Sequence, residues 1–524
     1  QVYLAQRLQR QPIRPARQRA AACDSRERMV QAQSLELPKA AVVVDPYSSG
    51  RFLLYELHSR GVPIICVRSS LNLGGFFLRA YDANKEYFDA TVDYEDLPQL
   101  LGALRRLPYR VAAVFAGCEP GVTLADELAE ALELPTANGT ELTAARKDKA
   151  AMQERLRECG VPAAEQILSS SKQELLEWAR GRQQWPLVAK PTGSSGSDGV
   201  FFCQDEADVA AAADDLLGKT NPNGNLNSQI VLQEFLDGTE YIVDTVSYEG
   251  KHICVALWVY TKRRGTPWNP NCIISEGNKL LPSDGEVQER LVEYVFDVLS
   301  AVGLRFGPCH TEVMLTPRGP VLVEVNARLH GLQGPKLIGL ATGTSKATYA
   351  VDALANNGEL FDTHYRANGG RRWLYPLQRQ CLQMVLISPA SGYLRRSIAK
   401  AIEAMKLPSV VEVLPSVQKR QLLRATCDLN TAAGYVLMVH ESEAQIKADC
   451  QCIRDAENDG SLYLVSQDPL PDSPPASPLN RAASEPSSPR LQSVEKAGEL
   501  WSLEENLELP ASAEFQMEMV GLTE

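Results

Sequence analysis

Two carboxylates stand out in the stretch GPCHTEVMLTPRGPVLVEVNARLHG, residues 307–331. The stretch reads as two strands around a Pro/Gly turn at residues 316–320. With that hairpin centred on Arg318, Glu312 falls opposite Glu324 and His310 opposite Asn326. Alternate side chains of a strand share a face. His310, Glu312, Glu324 and Asn326 are therefore expected on one face, and Val313, Leu315, Val321, Val323 and Val325 on the other, packed inward. Like charges directly opposite each other repel, and a cation between them removes the penalty. Hard oxygen donors with an amide beside them suit Mg²⁺ or Mn²⁺. The alternative is a solvated face of an antiparallel sheet, and a one-residue slip would part the two glutamates.

A second group of residues suits phosphate. Lys190 ends the apolar run WPLVAK, and the loop PTGSSGSDG follows. Gly193, Gly196 and Gly199, interleaved with Ser194, Ser195 and Ser197, can lay backbone N–H groups and hydroxyls around phosphate oxygens. A lysine at the strand end adds a point charge. The pattern is not a Walker loop, because G-K-[ST] is missing, and a Gly/Ser hairpin can equally be only a mobile turn. Further on, Ile230–Leu236 reads as an apolar strand containing Glu234, then turns at Asp237-Gly238 before Glu240. Backbone amides after such a strand can pair with an adenine edge, and Glu240 can hold ribose hydroxyls. Lys262, Arg263 and Arg264 fall in an expected loop, as possible receivers of a substrate carboxylate or as a solvated charge run.

The elements that must position these residues are legible from period and punctuation. AAVVVDPYSSG, VPIICVRSS and YRVAAVFAG are short β-rich runs alternating with the helical stretches GRFLLYELHSRG and GVTLADELAEALEL, which argues a Rossmann-like parallel sheet at residues 39–140. No G-x-G-x-x-G follows the first strand, so a dinucleotide site there is unsupported. ARKDKAAMQERLRECGVP reads as one helix carrying Lys149, with Met152, Leu156 and Cys159 on one face and Gly160 as its stop.

In this order the motifs resemble the ATP-grasp superfamily: Lys149 on a helix, Lys190, the Gly-rich loop, Q-E-F-L, G-x-E, and E…E-V-N-x-R. FAGCEPGVTLADELAEALELPTANGTELTAARKDKAAM and GPCHTE…EVNARLHG are similar to the L-amino acid ligase and carnosine synthase group. So are LISPASGYL, LPSVVEV and CDLNTAAGYVLMVH further on. The resemblance runs from about Lys39 to Val465. It implies a mixed α/β ATP-grasp fold with a Rossmann-like pre-ATP-grasp domain (39–140), an ATP-grasp domain (141–355, lid about 161–230) and a C-terminal α+β portion (356–465). It implies ATP and two Mg²⁺ or Mn²⁺ ions as cofactors. Lys149 and Lys190 would contact ATP phosphates under a lid loop at residues 193–199. Glu234, Phe235 and Leu236 would be the adenine hinge, Glu240 would take the ribose, and Glu312, Glu324 and Asn326 would bind the metals. Arg328, with Lys190 and His310, would serve the chemistry, His310 being open between a substrate contact and a structural role. The implied activity is an ATP-dependent carboxylate–amine ligase working through an acyl phosphate and releasing ADP and phosphate.

Two other functions compete. Glu403-Ala404-Met405-Lys406 resembles a biotin-attachment tetrapeptide, which would suit a biotin-dependent carboxylase. A biotinylated lysine sits at a hairpin tip, however, whereas Leu394, Ile398, Ile402 and Met405 follow helical spacing toward Leu407-Pro408. A non-catalytic ATP-binding module is the other alternative, and the intact metal and phosphate set weighs against it.

Composition bounds the rest. The chain has 524 residues, with 53 Lys and Arg against 65 Asp and Glu and a formal net charge of −12, which argues against a nucleic-acid surface. No apolar run approaches the ~20 residues that cross a bilayer, so no membrane partner is expected. Twelve cysteines lack zinc spacing and read as reduced core residues of an intracellular protein. The chain begins at Gln1, and residues 1–38 read as a basic leader, rich in arginine to residue 22 and without acidic residues there. It is a transit-peptide remnant or a disordered arm, so the expected location is cytoplasmic, or organellar with a transit peptide. Residues 466–524 open Ser/Pro-rich and cannot supply a core. That tail is expected to be disordered and open to a regulatory partner. The expected partners are ATP and small carboxylate and amine substrates of amino-acid type, with a homodimer as a further expectation.

Overall fold

The computed structural model describes residues 37–469 apart from 71–74, 183, 194–198, 221–225, 368–371 and 373. The leader, the tail and the core of the Gly/Ser loop lie outside the described residues.

The chain opens with β1 (Lys39–Val44), β2 (Ile64–Arg68), β3 (Ala90–Asp93) and β4 (Arg110–Ala116), parallel and ordered 3-2-1-4. Five successive buried residues in β1 match a parallel strand covered on both faces. One cover is the helix Arg51–Ser59, through Leu53, Leu54 and Leu57, and another is Val122–Ala131. The Rossmann-like expectation for this part agrees with the structure.

A second, antiparallel sheet holds β5 (Gln166–Ser169), β6 (Leu187–Pro191), β7 (Phe201–Cys203) and β8 (Ile230–Glu234), ordered 5-8-6-7. The helices Lys172–Arg182 and Glu206–Leu216 close its apolar face.

The largest sheet carries the site. It holds β9 (Thr239–Tyr248), β10 (Lys251–Thr266), β11 (Asn269–Leu280), β12 (Gly307–Thr316), β13 (Gly319–Asn326), β14 (Gln380–Leu386), β16 (Val410–Pro415) and β18 (Gly434–His440). Their order is 13-12-9-10-11-14-18-16, so the C-terminal strands extend the same sheet. The helix Glu286–Ala301 packs eight buried apolar residues into the core on one face of it. The short strands β15 (Gly392–Leu394), β17 (Leu422–Leu423) and β19 (Val465–Ser466) form a small sheet beside it.

Several expectations are corrected. The stretch around Lys149 is two helices, Thr143–Lys147 and Lys149–Glu158. Asp148 breaks them: it is extended, and its carboxylate accepts from the N–H groups of Ala150 and Ala151, both at 2.9 Å. That is an N-cap, and it places Lys149 in the first turn of the second helix. Cys159 is exposed and lies past the helix end. Lys262, Arg263 and Arg264 lie in β10, paired to β11, not in a loop. The helix before Lys406 is only Ile398–Glu403, because Leu394 belongs to β15. Lys406 sits at a positive φ of 54° between that helix and β16, not at a hairpin tip.

Among the described residues every cysteine is a free thiol, and no helix is long and apolar enough to cross a membrane.

Candidate active site

The hairpin of β12 and β13 pairs His310 with Asn326 and Glu312 with Glu324, as the residue pattern predicts. Toward the turn the register then shifts: Val313 pairs with Leu322, Met314 with Val321 and Thr316 with Gly319. Val323 is the extra residue, a β-bulge. Alternation flips at the bulge. Val313, Leu322 and Val325 enter the main core, while Val321 and Val323 leave it and join Met314, Ala164 and Leu236 in a separate small cluster. The expected inward face of Val313, Leu315, Val321, Val323 and Val325 is thus wrong at Val321 and Val323, by one inserted residue. The same face that carries two carboxylates becomes apolar within one residue pair.

Neighbouring strands extend that face. β9 pairs Asp244 with His310, Ile242 with Glu312 and Glu240 with Met314. β10 pairs Trp258 with Ile242, and alternation brings Tyr260 and Lys262 to the same side. Each carboxylate has its own donor. Lys149 Nζ lies 2.9 Å from Glu324 Oε2, and Asn326 Nδ2 donates to Glu324 Oε1 at 3.1 Å. His310 Nε2 is 3.3 Å and the Tyr260 hydroxyl 3.4 Å from Glu312 Oε1. Lys262 Nζ donates to Glu240 Oε1 at 2.6 Å.

These contacts set the protonation states. Burial pushes the Glu324 carboxyl up, but Lys149 and Asn326 outweigh it, and the group lies well below the ordinary carboxylate range. Burial and the facing Glu324 push Glu312 up, and His310 with Lys262 bring it below its ordinary value. Glu240 stays raised, because burial exceeds the pull of Lys262. Lys190 is pushed down to about 8, first by burial and then by Lys149. Its ammonium donates to Gln233 Oε1 at 2.9 Å, and Gln233 in turn holds Gln166.

Hard oxygen donors from Glu312, Glu324 and Asn326, brought side by side by strand pairing, fit Mg²⁺ or Mn²⁺. Beside them Arg328 reaches back although β13 ends at Asn326. Its Nη2 donates to Asn326 Oδ1 at 2.9 Å and its Nε to Glu119 Oε2 at 2.8 Å. Lys147 Nζ holds the other Glu119 oxygen at 2.5 Å. Glu119 opens the short 3-10 helix Glu119–Gly121 after β4, so the N-terminal sheet contributes to this cluster.

Residues 183–336 match the ATP-grasp domain family. The chain is 30% identical over 425 residues to dapdiamide A synthase of Enterobacter agglomerans, covering 80% of this chain and 96% of that protein. The chain belongs to the ATP-grasp family. It is also 26% identical over 196 residues to the L-arginine-specific L-amino acid ligase of Bacillus subtilis, covering 37% of this chain and 46% of that one. The fold matches the crystal structure of the L-amino acid ligase from Bacillus licheniformis with a TM-score of 0.62 at 18% identity, over 80% of this chain and 97% of that one. This ATP-grasp chain is an ATP-using, ADP-forming carbon–nitrogen ligase.

Within the ATP-grasp site the other expected residues divide. Phe235 and Leu236 follow β8, with Leu236 packed on Ala164 and Val321. The Glu234 carboxylate is occupied elsewhere: Oε1 accepts from Glu165 N at 2.8 Å and from Arg318. The Glu234 N–H also donates to the Glu165 carbonyl at 2.9 Å, so neither Oε1 nor the N–H is left for a hinge. Gly193 and Gly199 flank the loop; Ser194, Ser195, Gly196 and Ser197 lie outside the described residues. The three cations of β10 are all engaged: Lys262 by Glu240, Arg263 3.4 Å from Glu276, and Arg264 with its guanidinium 4.1 Å from the Phe235 ring centre and 5.4 Å from that of Phe202. Lys262 and Arg264 thus lie beside Glu240 and Phe235.

Sequence reasoning missed Glu119, Asp244, Tyr260 and Lys346, and it assigned His330 no role. For Asp244 a signal existed, since it lies four residues past Glu240 on a strand and so on the same face. Glu119 and Lys346 come from distant segments and carried none.

Proposed function

We propose that this ATP-grasp ligase joins the carboxylate of one amino acid to the amine of another through an acyl phosphate. The observation that carries this is the side-by-side placement of Arg328 and Glu119 next to the carboxylate pair. A guanidinium and a carboxylate held together complement the two charges of a free amino acid, and Arg328 can present a bidentate fork to its carboxylate.

The roles follow from position. The apolar cluster of Met314, Val321 and Leu236 takes the adenine, with Arg264 over Phe235 closing its edge, and Glu240 takes the ribose. Lys149 and Lys190 hold the outer phosphates. Glu312, Glu324 and Asn326 would hold two Mg²⁺ ions, which when bound neutralise the phosphates and draw charge off the reacting phosphorus. Arg328 holds the substrate carboxylate in line with the γ-phosphorus. One carboxylate oxygen bonds to that phosphorus as its bond to the ADP oxygen breaks. The amine nitrogen of the second substrate then bonds to the acyl carbon, the carbon–oxygen bond to phosphate breaks, and the amine loses a proton. Stabilisation gathered at the outer phosphates favours γ-phosphoryl transfer over attack at the α-phosphorus.

The test is a screen of ADP release over amino-acid pairs, with hydroxylamine added when the second amine is omitted. ADP, phosphate and a hydroxamate are expected; pyrophosphate release with a productive pair would overturn the scheme.

A further inference from the structure

Beside the carboxylates, on the same sheet face, Asp244 and His310 open a buried polar cluster that contacts Glu312 only through His310. Asp244, on β9, is fully buried. Its Oδ1 takes Lys346 Nζ at 2.7 Å and faces His310 Nδ1 at 3.3 Å. Its Oδ2 takes the Trp258 indole N–H at 2.9 Å and His330 Nδ1 at 2.7 Å. Lys346, also fully buried, donates in addition to the Cys309 carbonyl at 2.5 Å. A buried ion pair of this kind is a poor way to gain stability, because desolvation offsets most of the attraction.

The cluster continues in two directions. Toward the carboxylates, the far nitrogen of His310 meets Glu312 Oε1 at 3.3 Å. On the other side, Asn278 Nδ2 meets His330 Nε2 at 3.4 Å, Gln383 Nε2 donates to Asn278 Oδ1 at 3.2 Å, and the Gln333 N–H meets Gln383 Oε1 at 3.2 Å. His330 is two residues past Arg328. The chain of hydrogen bonds therefore runs from the loop after Arg328, through β11 and β14, to Asp244, and on to Glu312.

We propose that Asp244 is a positioning residue for the ligase site: its two oxygens fix His310 against Glu312 and His330 beneath the Arg328 loop, so that one buried carboxylate holds the metal side and the substrate side in register. This rests on the assignment of Glu312 to a metal. Asp244, His310 and His330 could by themselves be read as a metal cluster, since their ligand atoms lie within 4.8 Å of one another. The Lys346 ammonium and the Trp258 N–H already occupy both oxygens, which opposes a cation there.

The experiment compares Mn²⁺ binding, read by electron paramagnetic resonance with ADP present, in wild type, Asp244→Asn/Lys346→Met and Trp258→Phe. The double variant removes both charges, because Asp244→Asn alone would strand the ammonium. Loss of an outer partner of a metal ligand weakens metal binding by about 10- to 100-fold. Asp244 acts on Glu312 through His310, so the low end, roughly tenfold, is expected in the double variant and a smaller loss in Trp258→Phe, while metal-free binding of a fluorescent ATP analogue stays as in wild type. If the double variant does not fold, Trp258→Phe carries the comparison. Wild-type Mn²⁺ affinity in a folded variant would overturn the proposal. So would a parallel loss of metal-free nucleotide binding, which marks a structural role. A metal equivalent lost in His330→Ala but kept in Glu324→Gln would overturn it too, by making the cluster itself a metal site. The comparison needs no turnover, so failure of the amino-acid ligase scheme shows separately, as a wild type that binds Mn²⁺ yet releases no ADP with any substrate pair.

Discussion

Replacing Glu324 by Gln tests whether the facing carboxylates strain the fold or are balanced by it. Two opposing quantities decide. Lys149 Nζ lies 2.9 Å from Glu324 Oε2, a gross attraction of about 6 kcal/mol at an effective dielectric of ~20. The paired Glu312 sits at the usual cross-strand spacing of ~5 Å, a repulsion of about 3 kcal/mol on the same footing. Attraction wins, and the direction of the Glu324 titration agrees: although burial pushes it up, the carboxyl ends below its ordinary range. A folded-state value below the unfolded one adds stability above the unfolded pKa of ~4.3, lost as pH falls through the folded value. Gln keeps an oxygen for Lys149, so the loss should be partial, about 1–3 kcal/mol. Urea unfolding in EDTA should show Glu324→Gln less stable than wild type by that amount at every pH from 6 to 8, with the gap closing in acid. ADP release should fall about a hundredfold or more, as expected when ~3 kcal/mol of transition-state stabilisation is lost. A metal-free variant as stable as wild type would refute the balance drawn here. Turnover within a few-fold of wild type would refute Glu324 as a metal ligand.

Lys190, pushed down to about 8 by burial and then by Lys149, would hold phosphate in the proposed role only when protonated. In ATP titrations kcat/KM should decline above about pH 8, ahead of kcat because bound phosphates hold the proton on, and the limb should be absent in Lys190→Met. The unfolded chain binds this proton more tightly, so the Lys190 contribution to stability should rise with pH from about 8 to ~10.4, visible as a wild-type-minus-Lys190→Met slope in urea midpoints. Arg264→Ala removes a guanidinium 4.1 Å from the Phe235 ring centre; losing ~1 kcal/mol of cation–π contact should raise the KM for ATP roughly fivefold, with Mg²⁺ activation unchanged. A Cβ at Gly238 would meet the Leu315 carbonyl oxygen at 2.2 Å, so Gly238→Ala should lower stability by about 1–3 kcal/mol in thermal unfolding.

What was legible in the sequence was whatever short-range period or punctuation encodes. The parallel sheet announced itself through runs such as AAVVV. The expected pairing of Glu312 with Glu324 is found, but the turn register alone would set Glu312 opposite Val323, and the bulge at Val323 restores the pair. Asp148 was misjudged: its side chain completes a helix cap and so divides one apparent helix, a choice that apolar spacing does not report. Lys262–Arg264 resembled a loop because three successive cations rarely sit in a strand. The structure gives each a separate partner, Glu240, Glu276 and Phe235, from segments that only the tertiary fold brings near.

The bulge at Val323 decides which residues of β13 follow Glu324 on the carboxylate face. A strand with strict alternation offers a single character on each face. Here Glu312 and Glu324 form one pair, and the next pair on that face is Met314 and Val321, because Val323 adds a residue between them. Glu240 lies opposite Met314 on the adjoining strand. The carboxylate pair, Glu240 and the apolar pair of Met314 and Val321 are thus neighbours within two residues along β12, as the proposed phosphate, ribose and base contacts would need. With an unshifted register Leu322 would stand opposite Met314 and Val323 opposite Val313. The inserted residue instead sends Leu322 into the main core and leaves the smaller Val321 beside Met314. It could not be read from the alternation of VLVEVN, in which every position but the glutamate and the asparagine is a core-type residue.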